Sequence, residues 1–298
     1  MNWIDSEWEV ITPMFLHGYN TRRVELRTPP IKSLMRYWWR SLHGELTTEE
    51  LYNKEAEYFG SADKDGKKSK FQLRILPYKQ LPQKEYKLLS TKNFTRKAIQ
   101  DGFKFTIRIQ SYLEDTFLKR FFLLQYLSLV LGGLGQRTRR GAGALRFIEI
   151  TDSNIDIEFD FGRDIIIILS IIIEQMTNLN YKLDKQNKRI VLDENLSFSN
   201  FPYLKSITIG REFTKWIDIK KKIDEQCHLL KRQYRQDYNS MGFAHPNEKL
   251  ASPLYISVIK ENDKYFPIMS KLNYVPPNGT RTPNDVDEVP NIFISSLC

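Results

Sequence analysis

Cysteine is almost absent from this chain. Cys227 and Cys298 are the only two, and they stand far apart. That pattern offers no disulfide framework and no zinc-type spacing, and it points to a reducing compartment such as the cytoplasm. Long hydrophobic runs are missing too. The most apolar stretch, residues 165–173, is only nine residues long, too short to span a bilayer. The opening MNWIDSEWEV carries acids and no apolar core, unlike a secretory signal. No G-x-x-x-x-G-K-S/T occurs, and the G-x-G-x-x-G that begins at Gly133 fails at Thr138, so neither common mononucleotide or dinucleotide loop is present. Acid is in deficit: 36 Asp and Glu stand against 45 Lys and Arg, a formal net charge of +9, with a pI near 9.3. Such an excess favours a polyanionic partner such as nucleic acid and says nothing about fold.

What the chain does have is concentrated in one stretch. Residues 132–145, GGLGQRTRRGAGAL, hold five glycines (Gly132, Gly133, Gly135, Gly141, Gly143) and three arginines (Arg137, Arg139, Arg140). Before them, residues 116–130 are apolar on nearly every face, which predicts a buried helix. After them, ALRFIEI alternates as a half-buried strand does. Glycines permit positive φ and close backbone approach. Successive N–H groups can form a concave anion site, and arginine forks match phosphate oxygens. A plain helix stop followed by a solvated basic turn is the alternative.

The 298 residues, 41% hydrophobic, suffice for one large or two ordinary domains. Residues 8–15 read as a first strand. A polar loop follows, carrying Arg22, Arg23 and Arg27, and Pro29-Pro30 introduces a helix over 31–43. On that helix Lys32, Arg36 and Arg40 form one cationic stripe, with no acid partner in view. Leu34, Tyr37, Trp38 and Leu42 form its buried stripe. Trp39 lies between them, placed either to stack on a base or in the core. Residues 44–59 read as an acidic helix, 71–77 and 103–110 as strands, and 81–101 as irregular. Strand, helix, strand, strand, helix, strand is the split βαβ, or ferredoxin-like, plan, used by RNA-recognition modules. Their aromatic sheet signature is missing, so RNA would be held through loops and arginines. A second, degenerate unit of the same kind is expected over residues 152–298, after a first unit over 1–151. Its expected parts are a strand at 155–161, a strand or buried helix at 164–176, and a polar loop over 182–203. A strand at 206–210, a long helix at 215–237 and a hairpin over 252–272 complete it.

Three segments together resemble a known family: TPMFLHGYNTRRVELRTPPIKSLMRYWWR, GGLGQRTRRGAGAL and HPNEKLASPLYISV. They are similar to the first subunits of the Cmr complex, the type III-B CRISPR effector of the RAMP superfamily. The resemblance implies an α+β fold of tandem ferredoxin-like (RRM-like) domains. It implies a non-catalytic subunit beside other RAMP subunits, holding crRNA and target RNA near the 3′ end of the guide, with no cofactor and no metal. By matching position it implies RNA-binding roles for Arg27, Lys32, Arg36, Trp39 and Arg40, with Trp38 in the same motif. It implies the same for Gly132, Gly133, Gly135, Arg137, Arg139, Arg140, Gly141 and Gly143. HGYN (residues 17–20) departs from the glycine-pair turn common in relatives.

Two rival functions follow from the same residues. A metal-independent RNA endonuclease would use a histidine as general acid or base. His17, beside the basic loop, is the candidate, with His43 behind it; no second histidine or tyrosine is evident as a partner. A pure assembly subunit would instead turn its basic surface toward acidic protein neighbours.

Overall fold

The computed structural model describes residues 1–20, 23–62, 66–88, 93–193, 196, 201–234, 240–244, 249–276 and 283–298. The fold is mixed α+β, built on antiparallel sheets. In the first half, β1 (Asn2–Val10), α1 (Thr28–Ser41), α2 (Thr48–Phe59) and β2 (Phe71–Ile75) come first. A hairpin of β3 (Gln83–Lys87) and β4 (Thr95–Ile99), then β5 (Lys104–Ser111), α3 (Asp115–Gly132) and β6 (Leu145–Ser153), complete it. The four-stranded sheet has the order β2-β5-β1-β6, every neighbouring pair antiparallel.

β1 begins earlier than the pattern of residues 8–15 suggests. Its acids look like a polar tail in sequence, yet they are the outward face of the central strand. Ile4, Trp8 and Val10 point to the core and are fully buried. Asp5, Glu7 and Glu9 alternate with them and pair across the sheet with Arg108 (2.6 Å), Lys104 (3.4 Å) and Arg146 (3.0 Å). Past Val10 the chain leaves the ladder and makes only single bridges, Met14 with Ile99 and His17 with Val24. Pro13 has no N–H to donate.

The second half holds α4 (Ile165–Met176), β7 (Tyr181–Asp184), β8 (Arg189–Leu192), β9 (Leu204–Ile209) and α5 (Trp216–Tyr234). Short β10 (Phe243–Ala244) and β11 (Lys249–Leu250), then β12 (Leu254–Glu261), β13 (Lys264–Leu272) and α6 (Glu288–Ser295), close the chain. Its five-stranded sheet runs β12-β13-β9-β8-β7. The isoleucine run is a helix: Ile166, Leu169, Ile173 and Met176 share a buried face. Residues 155–161 alternate as expected but form no strand. Ile155, Ile157, Phe159 and Phe161 pack on the core without a neighbouring strand to bond. The expected loop over 182–203 instead contains the β7–β8 hairpin. The irregular stretch 81–101 contains the β3–β4 hairpin, whose polar, exposed strands carry little alternation.

One apolar cluster runs through both halves. α3 is apolar all round because it is covered all round: β1 and β5 lie on one side, and α1, α4 and β12 on the others. Among the described residues, no helix is long and apolar enough to cross a membrane. A direct test of how the loop after α3 is built compares two glycines. Gly143 has φ +67°, and an added Cβ would lie 1.9 Å from the Leu134 carbonyl oxygen. Gly102 has φ +84° and open space around it. Urea unfolding should show Gly143→Ala losing about 3 kcal/mol or more, from backbone strain plus overpacking. Gly102→Ala should lose only about 1–2 kcal/mol, from strain alone.

Candidate nucleic-acid interface

The glycine loop is a docking device. α3 ends at Gly133 (φ +68°). The loop makes one 3-10 turn at Thr138–Arg140, and Gly141 and Gly143 again take positive φ. Backbone meets backbone at nearly every step. Leu134 N–H donates to Gly143 O (2.9 Å), Gln136 N–H to Phe15 O (3.0 Å), Gly143 N–H to Pro13 O (3.1 Å) and Gly141 N–H to Ile256 O (2.9 Å). A Cβ on Gly133 would lie 2.7 Å from Gly143 O, and one on Gly135 2.7 Å from Phe15 O. A Cβ on Gly132 would strike Leu34 and Trp38 of α1. The expected nest of free N–H groups is therefore corrected at these positions: the N–H groups of Gly141 and Gly143 are held by carbonyls of the protein itself.

The three loop arginines have separate fates. Arg139 donates to the Ser252 carbonyl and lies over the rings of Tyr37 (5.0 Å) and Tyr255 (4.6 Å). It ties the loop to the second half of the chain. Arg140 is half-buried, and its Nη1 has no hydrogen-bond partner among the described residues. Arg137 is exposed and sits at φ +63°, a left-handed conformation unusual for a non-glycine residue.

The α1 stripe is corrected more strongly. Glu55 of α2 accepts from Arg36 (2.6 Å) and from Arg40 (2.7 Å). Arg36 also donates to the carbonyls of Phe59 (3.0 Å) and Gly60 (2.6 Å). The stripe does have an acid partner, supplied by the next helix and invisible to spacing along α1. Lys32 lies over the Phe71 ring (5.5 Å); burial, and then the neighbouring Arg36, lower its pKa. Trp39 is 4% exposed and stacks on His43 at 4.3 Å, so it is core and cannot receive a base. Trp38 is fully buried. Arg23 and Arg27 are exposed; Arg22 lies outside the described residues.

A cleft of about 460 Å³ opens beside the glycine loop, with Arg139 among its lining residues and Arg23, Arg27 and Arg137 not among them. One wall is the turn at His17 and Gly18; another is the start of α1 at Pro30 and Ser33. The glycine loop and Tyr255 complete it. Arg23 and Arg27 belong to the loop that leads from this turn into α1, and Arg137 to the glycine loop. Sequence reasoning missed several of the parts. Tyr255 OH shares a hydrogen bond with Thr138 Oγ1 (2.9 Å), and Arg96 of the β3–β4 hairpin donates to Gln136 (2.6 Å). The pairing of loop with hairpin leaves no signal in local spacing.

His17 does line the cleft, and so do Tyr37 and Tyr255. Burial, and then Arg96, hold the His17 pKa below the ordinary histidine value. His43 lies elsewhere. Its Nδ1 is 2.7 Å from the Trp39 carbonyl, and burial pushes its pKa down to about 4. Among the described residues, no group of three or more His, Cys, Asp or Glu stands together to hold a metal ion.

Two measurements check these assignments. Glu55→Gln leaves two arginines without their anion, and chemical unfolding should report a loss of about 2 kcal/mol. The His43 ring takes up its proton later when folded than when unfolded, so acid favours the unfolded chain. Its contribution is intact above about pH 6.5 and falls as the pH drops toward 4. Between pH 7 and pH 5 the wild type should lose about 2 kcal/mol more than His43→Gln does.

The profile of the RAMP superfamily matches residues 7–146. Two proteins of Pyrococcus furiosus are similar in sequence. CRISPR system Cmr subunit Cmr1-1 is 25% identical over 297 residues, covering 87% of this chain and 84% of that protein. Cmr1-2 is 27% identical over 175 residues, covering 46% of this chain and 91% of that protein. The crystal structure of Cmr1 from P. furiosus in its apo form superposes with a TM-score of 0.60 at 19% identity, covering 99% of this chain and 97% of that one. A chain of the type III-B Cmr-beta complex, solved by cryo-EM with cognate target RNA and AMPPnP, gives 0.62 at 12% identity, covering 99% and 98%. These superpositions show a shared fold. Residues 7–146 match the RAMP superfamily, and over 87% of its length the chain is similar to a Cmr1 subunit of the CRISPR Cmr system.

Proposed function

We propose that this chain is a non-catalytic RNA-binding subunit of a cytoplasmic type III-B Cmr effector. In this role it holds crRNA and target RNA near the 3′ end of the guide, beside other RAMP subunits, in antiviral defence. Similarity to the Cmr1 proteins and to a chain of an RNA-bound Cmr complex supports the assembly. The order β2-β5-β1-β6, with α1 and α3 as crossovers, supports a ferredoxin-like unit over residues 1–151 that carries the β3–β4 hairpin as an addition. Residues 152–298 form its degenerate counterpart, without an opening strand.

The observation that carries the binding role is Arg137. Around it the N–H groups of Gly141 and Gly143 and the Arg139 side chain are engaged within the protein, while Arg137 stays exposed in a conformation that glycine would adopt without strain. Backbone strain at an exposed guanidinium is a mark of function. With Arg23 and Arg27, which are exposed on the loop that leads into α1, it can neutralise RNA phosphates. Base pairing supplies sequence specificity in such complexes, so backbone contact suffices. On the outer sheet face, three acids of β1 are already paired with basic neighbours.

Arg137→Gly separates binding from folding. Stability should stay within about 1 kcal/mol of wild type, since relief of strain offsets glycine's entropy. The log–log salt slope for single-stranded RNA should flatten by about 0.7, and by about 2 when Arg23 and Arg27 are also replaced. An unchanged slope would assign these loops to protein contacts. His17 in the same cleft supports the rival endonuclease. RNA cleaved without metal by the wild type, and left intact by His17→Ala with binding retained, would establish that activity instead.

A further inference from the structure

A second cleft, of about 310 Å³, opens between the β3–β4 hairpin and the start of α5, a size within reach of small-ligand sites. Phe15 lines both clefts. The new cleft is lined by Ala142 of that loop and by two rings from opposite halves of the chain, Tyr86 and Trp216. Their centroids are 6.4 Å apart. A single carboxylate fixes both: Tyr86 OH donates to Asp101 Oδ1 (2.8 Å) and Trp216 Nε1 to Asp101 Oδ2 (3.2 Å). The polar edges of both rings are thereby satisfied, which leaves them π-faces and hydrocarbon to offer a ligand.

Three lysines, Lys87, Lys220 and Lys221, and one carboxylate, Glu85, share the same lining; Lys221 also lies 4.0 Å from Glu225. Lys87 and Lys221 are exposed. Lys220 is 9% exposed, and its ammonium donates to the Leu88 carbonyl (3.2 Å) and to Asp224 (3.3 Å). An ammonium carries three donors, so among the described residues one is left for an incoming oxygen.

Aromatic walls edged by cations suit a splayed-out base and its phosphate. An apolar protein side chain would use the rings and leave the exposed ammonium groups of Lys87 and Lys221 unused. We propose that this cleft receives one unstacked nucleobase of the RNA strand held at the glycine loop, with Lys220 and Lys221 on the adjoining phosphate. The inference rests on the RNA-holding role proposed above and adds a base subsite to it.

The test uses the full chain and single-stranded RNAs in which one 2-aminopurine is moved position by position. Stacking on Trp216 should quench emission at one position on binding, and Trp216→Leu should abolish that quenching. Affinity should fall roughly five- to hundred-fold in Trp216→Leu and recover largely in Trp216→Phe. Its salt slope should stay at the wild-type value, unlike that of the arginine variants. Lys221→Glu, a change on a side chain 70% exposed, should weaken binding without touching the fold. Wild-type affinity in both Trp216→Leu and Lys221→Glu overturns the base subsite and leaves the RNA-holding role standing. A wild type that binds no RNA at any salt overturns that role itself. Normal RNA binding by Trp216→Leu, together with failure to assemble with neighbouring subunits, overturns the proposal and gives the cleft to protein.

Discussion

Leu134 and Gly143 meet backbone to backbone, and the surface of this protein depends on that contact. The Leu134 N–H bonds the Gly143 carbonyl, and the Leu134 carbonyl lies where a side chain on Gly143 would begin. The loop is thereby closed on itself. Closure allows Gln136 and Gly143 to bond the chain at Phe15 and Pro13, just beyond β1. It also brings Gly141 to the carbonyl of Ile256 in β12. One glycine-rich turn therefore joins the central strand of the first sheet, the helix behind it and the edge strand of the second. A loop held by so many backbone bonds is a rigid mount, and rigidity is what a binding residue placed on it requires.

Charge is sorted by the same architecture. Arg36 and Arg40 bind α2 through Glu55. Arg139 binds the second half through Ser252 and two tyrosine rings. Arg108 and Arg146 neutralise acids on the outer sheet face. Arg23, Arg27 and Arg137 remain exposed.

Much of the first half was legible in the sequence. β5, α3 and β6 follow their periodicities closely, and the glycine loop stands where its composition puts it. Three kinds of information were not legible. The acids of β1 disguised a central strand, since their partners on β5 and β6 lie about a hundred residues or more away in sequence. Glu55 converted an apparent RNA-binding stripe into a structural clamp, a fact set by how α2 packs on α1. The β3–β4 and β7–β8 hairpins have little buried area to impose alternation, while residues 155–161 show alternation with no strand to pair. Local pattern reports burial faithfully; it does not report who the neighbour is. The same limit explains why Trp39 could be placed in the core only once His43, Tyr58 and Phe59 were seen around it.

The central claim is that RNA phosphates meet this chain at the two loops around the first cleft and not on its sheet. Ultraviolet crosslinking of the assembled ribonucleoprotein, read by mass spectrometry of RNA-linked peptides, tests it most directly. Crosslinks within residues 17–27 and 132–145, with none on the outer face of β1 and β5, are the predicted result. Crosslinks confined to that outer face, with both loops protected by a neighbouring protein, would contradict the account.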